Sequence, residues 1–592
     1  MSNSKFINKS SLLKDLWHHL SKRRQNQFRL LLILMIIASL SEIISVGAVL
    51  PFLGILTAPE QVYEQQFIQP LIQILEITEP NQLILPLTIL FIIAALLAGV
   101  IRLTLLYAMT RLSHATGADL SINIYRRTLY QKYAVHVSRN SSEVINGIIT
   151  KTSTVINGIL SPLLNLVSSI IMIIGVTGAL FIINTTVALF ASIGFGLLYW
   201  LIVCYTRSQL TENSQIIAYK SNLMIKVLQE GLGGIRDVLI DGTQQFYCQL
   251  YRNADLPLRR ASGDNIFISG SPRYVLEAIG MTLIAGLAYL MTLQEGGVVT
   301  AIPILGALAL GAQRLLPALQ QAYGSYSTIK GSKSSFEDVL HLLGQPLPEY
   351  IGQSLLKPIT FEKEVKIRNL SFRYTEDSPW VLKNINLTLK KGAQIGFIGA
   401  TGSGKSTLLD IIMGLLSPTD GEVIIDQQSL TDQSRRAWQA HISHVPQNIY
   451  LSDSTIEENI AFGVAKEKID HQRVKKAAQQ AKIGELIEQW KDGYQTLVGE
   501  RGVRLSGGQR QRIGIARALY KQANILIFDE ATSALDNETE HEVMEAIKNL
   551  SKKITVLIIA HRLTTLKGCD YIIKLNKDHT AHIGSYEEVI DE

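Results

Sequence analysis

The stretch Gly399-Ala400-Thr401-Gly402-Ser403-Gly404-Lys405-Ser406 decides the fold of the second half of this chain. It lies between an apolar run, residues 394–398, and a leucine-rich run, residues 407–412. This order predicts a strand, a phosphate-binding loop and a helix, because glycines let backbone N–H groups turn inward on an anion and the helix adds its positive dipole end. Lys405 is expected to reach the terminal phosphates and Ser406 to offer a hydroxyl to magnesium. The sequence therefore predicts a nucleoside triphosphate site.

A pair of acidic residues further along the chain indicates how the nucleotide is used. Ile525-Leu526-Ile527-Phe528 is typical of a buried parallel strand, and it is followed by Asp529 and Glu530. Asp529 is expected to hold magnesium, directly or through water, and Glu530 to orient or deprotonate the attacking water. A lone acidic pair could be a solvated strand end, but this one follows a phosphate loop in the same domain. The pattern predicts hydrolysis rather than binding alone.

Between these two motifs lies Leu505-Ser506-Gly507-Gly508-Gln509, and with this signature the chain resembles the ABC (ATP-binding cassette) transporter family. In that family the serine and glycines of the signature cap the γ-phosphate held by the other cassette of a dimer. The resemblance therefore implies a homodimer with two competent ATP sites, and ATP and Mg²⁺ as cofactors. It implies nucleotide contacts from Tyr374, Gly399, Gly402, Ser403, Gly404, Lys405, Ser406, Thr407, Ser506, Gly507, Gly508 and Gln509.

Other short motifs carry further roles by the same resemblance. Tyr374 resembles the aromatic residue that stacks on adenine, and Gln447 resembles the glutamine that links magnesium to the membrane domain. Ser533-Ala534-Leu535-Asp536 resembles the loop that crosses the dimer interface, and His561 the histidine that contacts the γ-phosphate. Residues 498–502 resemble an exporter-type segment that touches the coupling helices. The implied catalytic residues are Glu530, His561 and Gln447, and the implied metal ligands are Ser406, Gln447 and Asp529.

Composition indicates that much of the rest of the chain faces lipid. Of 592 residues, 47% are hydrophobic and only 18% are charged. Stretches of about twenty apolar residues, enough to cross a bilayer, occur six times: 30–56, 83–109, 156–183, 185–205, 266–293 and 298–319. The net charge of +6 could indicate nucleic acid, but cytoplasmic loops of membrane proteins carry excess Lys and Arg anyway. No nucleic-acid partner is therefore expected.

The positive charges predict the orientation of these spans. Lys22, Arg23, Arg24 and Arg29 precede the first span, whereas residues 58–82 contain four glutamates and no Lys or Arg. The two long connections, before the third and fifth spans, are rich in Lys and Arg. We therefore expect both termini in the cytoplasm, in the cytoplasmic (inner) membrane. Residues 140–143 and 231–237 are the expected tips of these connections and our candidates for coupling helices.

The predicted fold class is an α-helical transmembrane domain, with six spans and long cytoplasmic extensions, fused to an α/β phosphate-loop cassette. The expected domains are a cytoplasmic segment (1–29), the transmembrane domain (30–330), a proline-containing linker (331–357) and the ATP-binding cassette (358–592). The three cysteines are scattered and are expected to be free thiols.

The loop between the first and second predicted spans points to a more specific group within the ABC transporter family. Residues 61–68 and 70–75 are apolar at helical spacing, which predicts a short amphipathic helix at the outer interface. Together with residues 41–53, this loop resembles that of the bacterial lipid-linked oligosaccharide flippases of protein glycosylation. That resemblance implies an ATP-driven flippase for a polyprenyl-pyrophosphate-linked oligosaccharide or a related glycolipid. The alternatives are a general lipid or multidrug exporter and a regulated channel. The six spans exclude a soluble ABC protein.

Arg102, Arg273 and Arg314 lie inside apolar spans, where an unpaired guanidinium is costly. Arg102 and Arg273 lie about twenty residues, and Arg314 about sixteen, from the outer ends of their spans, at similar depth for a rise of about 1.5 Å per residue. They could snorkel to the cytoplasmic headgroups, and Arg273 has a potential partner one turn away in Glu277. By resemblance to the flippase, we expect them instead to form a belt that binds the pyrophosphate head group.

Overall fold

A computed structural model describes two compact units of this chain. The described residues are 12–48, 52, 55–56, 60, 63–64, 68–74, 77–183, 185–292, 315–348, 351, 359–531, 535–548, 554–560 and 563–590. The first unit comprises residues 1–131 and 136–347, and the second comprises residues 132–135 and 348–592.

The first unit is built from long helices. In chain order the helices of residues 12–347 are α1 (Leu12–His19), α2 (Lys22–Gly47), α3 (Gln69–Ile74), α4 (Ile84–Leu129), α5 (Tyr133–Ser138), α6 (Ser141–Asn146), α7 (Thr152–Val155), α8 (Ser161–Ile183), α9 (Thr185–Gly233), α10 (Ile235–Ile240), α11 (Gln244–Thr292) and α12 (Lys333–Leu343). The first residues of α5 group with the second unit. Short 3₁₀ and π turns at Pro80–Leu83, Gly147–Lys151 and Ile156–Leu160 connect some of them. Residues 315–331 are also helical.

Three stretches of the described residues are helical, long and apolar enough to cross a membrane: Lys22–Ser45, Pro80–Leu129 and Ser141–Gly178. They contain most of the first three predicted spans. The fourth and fifth predicted spans fall in α9 and α11, which continue well beyond the length of a span. Most of the sixth, residues 298–319, lies outside the described residues.

Short helices lie at the predicted tips of the two long connections. Asn140 caps α6, its side chain accepting from the N–H of Ser142, as its position suggested. The chain turns slightly earlier than predicted, however, before α5. At the second tip, α10 begins right after the glycine-rich stretch. The region predicted as a linker contains α12, whose buried Phe336, Val339, Leu340 and Leu343 follow helical spacing and pack within the first unit.

The loop predicted to lie outside contains the predicted short helix, α3, and apolar residues of this loop pack against protein. Ile68 and Ile72 are buried in a small cluster with Ile55, Leu83 and Leu87. The loop is therefore held down on the start of α4 by apolar burial.

The second unit is an α/β domain with two sheets. Its strands are β1 (Glu364–Phe372), β2 (Leu382–Lys390), β3 (Gln394–Gly399), β4 (Asp420–Ile425), β5 (Gln428–Ser429), β6 (Ile442–Val445), β7 (Ile525–Asp529), β8 (Thr555–Ile559), β9 (Tyr571–Leu575) and β10 (Ala581–Gly584). Its helices are α13 (Lys405–Ile412), α14 (Arg435–Gln439), α15 (Ile456–Ile460), α16 (His471–Gln480), α17 (Gly484–Gln489), α18 (Gly507–Tyr520), α19 (Asn537–Lys548) and α20 (Tyr586–Ile590).

Sheet topology places the phosphate loop beside the acidic strand end. The larger sheet has the order β10-β9-β3-β8-β7-β6, parallel except for β10, and the smaller antiparallel sheet has the order β2-β1-β4-β5. β3 and β7 flank β8, and all five residues of β8 are buried between two apolar clusters. Because parallel strands end at the same edge of a sheet, the residues that follow β3 and β7 lie close together.

Candidate functional site

The phosphate loop joins β3 to α13 through backbone conformations that only glycine adopts easily. Gly399 has φ 149° and Gly404 has φ 94°. A Cβ atom at Gly399 would lie 2.5 Å from the carbonyl oxygen of Leu575, and one at Gly404 would lie 3.0 Å from the carbonyl oxygen of Val381. Larger residues would therefore push the loop away from the sheet, so the predicted roles of these glycines have a steric basis.

The phosphate loop contains side-chain hydrogen-bond donors that suit a phosphate. The Nζ of Lys405 donates to the carbonyl oxygens of Gly399 (2.8 Å) and Ala400 (3.1 Å). The buried Ser403 hydroxyl has no hydrogen-bond partner among the described residues, whereas Ser406 is exposed beside it. A cation held by weak carbonyl acceptors and an unsatisfied buried hydroxyl suit a phosphate ligand, which would accept from both.

Tyr374 lies next to this loop. Its hydroxyl is 3.1 Å from the Oγ1 of Thr407, and its ring packs edge-on against Phe372, with ring centroids 5.0 Å apart. The side chain nevertheless remains 55% exposed. An anchored but accessible ring is what stacking on a base requires.

The two predicted acidic residues and the predicted glutamine come together at the end of β7. The Nε2 of Gln447 donates to the Oε2 of Glu530 at 2.5 Å. Glu530 has φ 52°, and its N–H donates to the carbonyl oxygen of Ile559 at 3.0 Å. Burial, and then the negative charge of Glu530, raise the pKa of Asp529 above its ordinary value, while Lys405 opposes the shift. The end of β7 therefore forms a crowded acidic site.

Sequence reasoning missed Asp410. This residue lies in the otherwise apolar run of α13, and burial, followed by the negative charge of Asp529, raises its pKa to about 6. The signal was present in the sequence, since an acid interrupts Leu408-Leu409-Asp410-Ile411-Ile412. Asp410 therefore adds a third carboxylate near the phosphate loop.

The signature residues occupy the start of α18. Ser506 is the N-cap, its Oγ accepting from the N–H of Gln509 (3.2 Å), and the Gln509 Oε1 accepts from the N–H of Ser506 (2.8 Å). Gly507 and Gly508 follow in the first turn, where N–H groups have no acceptor within the helix and can donate to an anion. Within the described part of the chain, no hydrogen bond or ion pair joins Ser506, Gly507, Gly508 or Gln509 to the phosphate loop.

Some predicted residues lie outside the described residues: His561, Ser533, Ala534 and Arg314. Leu535 and Asp536 are described, and Asp536 caps α19 by accepting from the N–H and hydroxyl of Thr539 at 2.9 and 2.8 Å.

Arg102 and Arg273, the two described arginines of the predicted spans, each lie beside a glutamate. The Arg102 Nη1 is 3.5 Å from the Oε1 of Glu42 on α2. The Arg273 Nε is 2.7 Å from the Oε1 of Glu277, one turn along α11, as the spacing suggested.

Comparison with known proteins gives the family. Residues 31–301 match the family described as ABC transporter transmembrane region, and residues 382–533 match the family described as ABC transporter. An ATP-dependent lipid A-core flippase of Alkalilimnicola ehrlichii is 30% identical over 406 residues, which are 67% of each chain. The chain belongs to the ABC transporter family. The enzyme of the same description from Cupriavidus pinatubonensis is 27% identical over 499 residues, 84% of each chain.

A solved structure confirms the fold of this ABC transporter. A bacterial Atm1-family ABC exporter with ATP bound superposes with a TM-score of 0.76 over 96% of each chain, at 22% identity. The predicted fold class, a helical transmembrane domain fused to an α/β cassette, is confirmed. This ABC transporter is a multi-pass membrane protein that binds ATP and couples its hydrolysis to translocation.

The transmembrane domain of this ABC transporter also has a cavity of about 580 Å³. It lies between α9, α11 and the helical residues 315–331. Its lining is mostly apolar, with Asp264, Gln209 and Tyr205 among the polar residues, and no arginine lines it among the described residues.

Proposed function

We propose that this ABC transporter is a homodimeric flippase that moves a polyprenyl-pyrophosphate-linked oligosaccharide, or a related glycolipid, across the cytoplasmic (inner) membrane. The observation that carries the proposal is the presence of Arg102 inside an apolar helix and of Arg273 inside a predicted span, each in contact with a carboxylate. Charged residues at membrane depth usually serve substrate pathways. Similarity to relatives described as lipid A-core flippases supports a glycolipid substrate.

In this proposal the arginines bind the head group. A guanidinium presents a fork of donors that matches phosphate oxygens, and both Arg102 and Arg273 keep more than half of the side chain exposed, at 66% and 52%. Arg314 is proposed as the third member of the group. The polyprenyl tail would stay in the lipid, because an apolar chain that is already in hydrocarbon gains no hydrophobic free energy by moving into the protein.

The nucleotide chemistry is proposed as follows. Ser406, Asp529 and Gln447 would hold Mg²⁺, and crowding of Asp410, Asp529 and Glu530 favours a divalent cation there. Bound Mg²⁺ supplies charge neutralisation for the β- and γ-phosphates. Glu530, oriented by the amide of Gln447, positions the attacking water and accepts its proton. His561 would contact the γ-phosphate.

We further propose that two copies of the chain share each ATP. The signature has no bond to its own phosphate loop among the described residues, and its helix start offers free N–H groups. Such a site is completed by the γ-phosphate of a nucleotide on a second copy. Both termini would lie in the cytoplasm, beside ATP.

A flipping assay tests the substrate. Arg273→Gln removes a charge from an exposed pair within one helix, so its structural cost is small. In liposomes containing a fluorescent polyprenyl-pyrophosphate glycan, we expect this variant to stop flipping while basal ATP hydrolysis continues. The matched control is Arg259→Gln, because Arg259 pairs with Asp255 at 3.1 Å on the same helix but outside the predicted span. Normal flipping by a folded Arg273→Gln variant would refute the proposal.

One observation favours a second candidate, a general lipid or multidrug exporter. The described cavity is apolar and free of arginine, as expected for an apolar cargo. Lipids extracted with the purified protein and identified by mass spectrometry distinguish the two candidates. A pyrophosphate-linked glycan in the extract supports the flippase, and a mixture of bulk phospholipids alone supports the general exporter.

A further inference from the structure

Glu42 occupies an unusual position in the transmembrane domain. On α2 the buried residues Leu31, Met35 and Ala38 follow the spacing of one helix face, and Glu42 is the next position on that face. Its side chain is only 10% exposed. A carboxylate on the packed side of a membrane helix is costly, so it requires compensation and is a candidate functional group.

The contact between Glu42 and Arg102 is asymmetric. The carboxylate is buried between helices, whereas the guanidinium is mostly exposed and meets it through one nitrogen at the long distance of 3.5 Å. A fixed carboxylate therefore holds one edge of an arginine whose remaining donors face outward. Arg273 and Glu277 form a second arginine–carboxylate contact, within α11, at 2.7 Å, and here both groups are about half-exposed.

We propose, on the basis of the proposed function, that Glu42 and Glu277 are specificity-determining residues that set a charge threshold for the head group. Each carboxylate neutralises its arginine when no substrate is bound. A head group that can bind only by displacing this contact must compete with the carboxylate, whereas one that bonds the donors left open by the carboxylate need not.

The gain from that exchange depends on the head group. The single charge of a phosphodiester in a bulk phospholipid only replaces the charge of the carboxylate. A pyrophosphate brings two charges and more acceptor oxygens, so it can form charge-assisted bonds to the donors that the carboxylate leaves open, without displacing the carboxylate. The carboxylates therefore exclude abundant bulk lipids from the arginines and admit the pyrophosphate.

The test compares Glu277→Gln and Glu42→Gln with wild type in nanodiscs of phosphatidylcholine. Phosphatidylglycerol and a polyprenyl pyrophosphate are titrated, and the half-saturating concentration for stimulation of ATP hydrolysis is measured for each lipid. We expect each substitution to strengthen phosphatidylglycerol binding about tenfold, or about 1.4 kcal/mol, and pyrophosphate binding much less. The ratio of the two constants reports selectivity, which a purely structural role would leave unchanged.

Asp255→Asn is the matched control, because Asp255 pairs with Arg259 on the same helix outside the predicted span. It should keep the wild-type ratio. An unchanged ratio in the glutamate variants overturns the proposal.

If Glu42→Gln does not fold, Glu277→Gln alone decides the test, because the Arg273–Glu277 pair is exposed and lies within one helix. If wild type flips the pyrophosphate glycan but the variants keep its selectivity, this inference fails while the proposed function stands. If wild type does not flip the glycan, the proposed function itself fails.

Discussion

The carboxylates of the cassette and those of the transmembrane domain are arranged in opposite ways. At the end of β7, Asp529, Glu530 and the nearby Asp410 crowd together, with Lys405 as the opposing charge, and the pKa values of Asp410 and Asp529 rise. In the predicted spans, Glu42 and Glu277 each lie beside an arginine. A site open to water tolerates excess negative charge, whereas the bilayer core does not.

This difference suggests what each region is suited to bind. The cassette has surplus negative charge, which favours a cation together with the nucleotide. The membrane pairs are neutral, so an anionic head group must compete with a resident carboxylate. The same residue type thus favours a ligand in one region and opposes it in the other.

The largest expected effect concerns Glu530. Replacing it with Gln should lower ATP hydrolysis by a factor of about 100 or more, because the amide does not accept the proton of water. ATP binding should persist, since the phosphate loop is intact. Phosphate release and nucleotide binding measure the two effects, with the exposed Glu538→Gln as control. Hydrolysis near the wild-type rate would show that another group activates water.

The second prediction asks whether the acidic site is completed by another copy of the chain. In dimers with Lys405→Ala on one chain and Ser506→Arg on the other, one composite site should remain and occlude labelled ATP. With both changes on the same chain and a wild-type partner, neither site should remain. Differently tagged chains allow the two dimers to be purified. The reverse pattern would mean that each site lies within one chain.

The third prediction separates the two membrane pairs by burial. Arg102→Ala should cost about 2 kcal/mol of unfolding free energy, because it removes an arginine from a carboxylate held inside the membrane. Arg273→Ala should cost only about 0.3 kcal/mol, as for an exposed pair within one helix. Unfolding in mixed micelles measures both, and Glu42→Gln should rescue Arg102→Ala. Equal losses for the two arginines would contradict the difference in burial.

The smallest expected effect tests the crowding of acids in the cassette. The raised pKa of Asp410, about 6, means that the folded state favours the protonated carboxyl. The charged form therefore destabilises the fold above about pH 6, and this penalty disappears as the pH falls toward the ordinary value of 3.8. Asp410→Asn should stabilise the nucleotide-free protein by about 1 kcal/mol near neutral pH, allowing for partial exposure.

Thermal unfolding near neutral pH and at about pH 4 measures this change. The exposed Asp420→Asn serves as control. A stabilisation by Asp410→Asn that does not shrink at the lower pH would show that the carboxyl charge is not its cause.

The sequence predicted the parts of the site that are encoded locally. The phosphate loop, the acidic strand end and the signature each lie within a few residues, and the structure gives each the expected element. The same holds for the contact between Arg273 and Glu277, because residues four apart on a helix are neighbours. Periodicity and turn chemistry are sufficient for such features.

Other features depend on how distant elements meet. Nothing local places Asp410 near Asp529, since their proximity depends on how α13 packs against the sheet. The pairing of Gln447 with Glu530 depends on the adjacent parallel strands β6 and β7, and that of Glu42 with Arg102 on the rotation of two long helices against each other.

By itself, therefore, the sequence determined the family and its ATP hydrolysis, and it predicts the residues that face the phosphates, because these are short motifs with fixed local geometry. Only the tertiary structure decided which charges are compensated and which are left in excess. Charge compensation is a property of distances and burial, and residues far apart in sequence acquire both only when the helices and strands have packed.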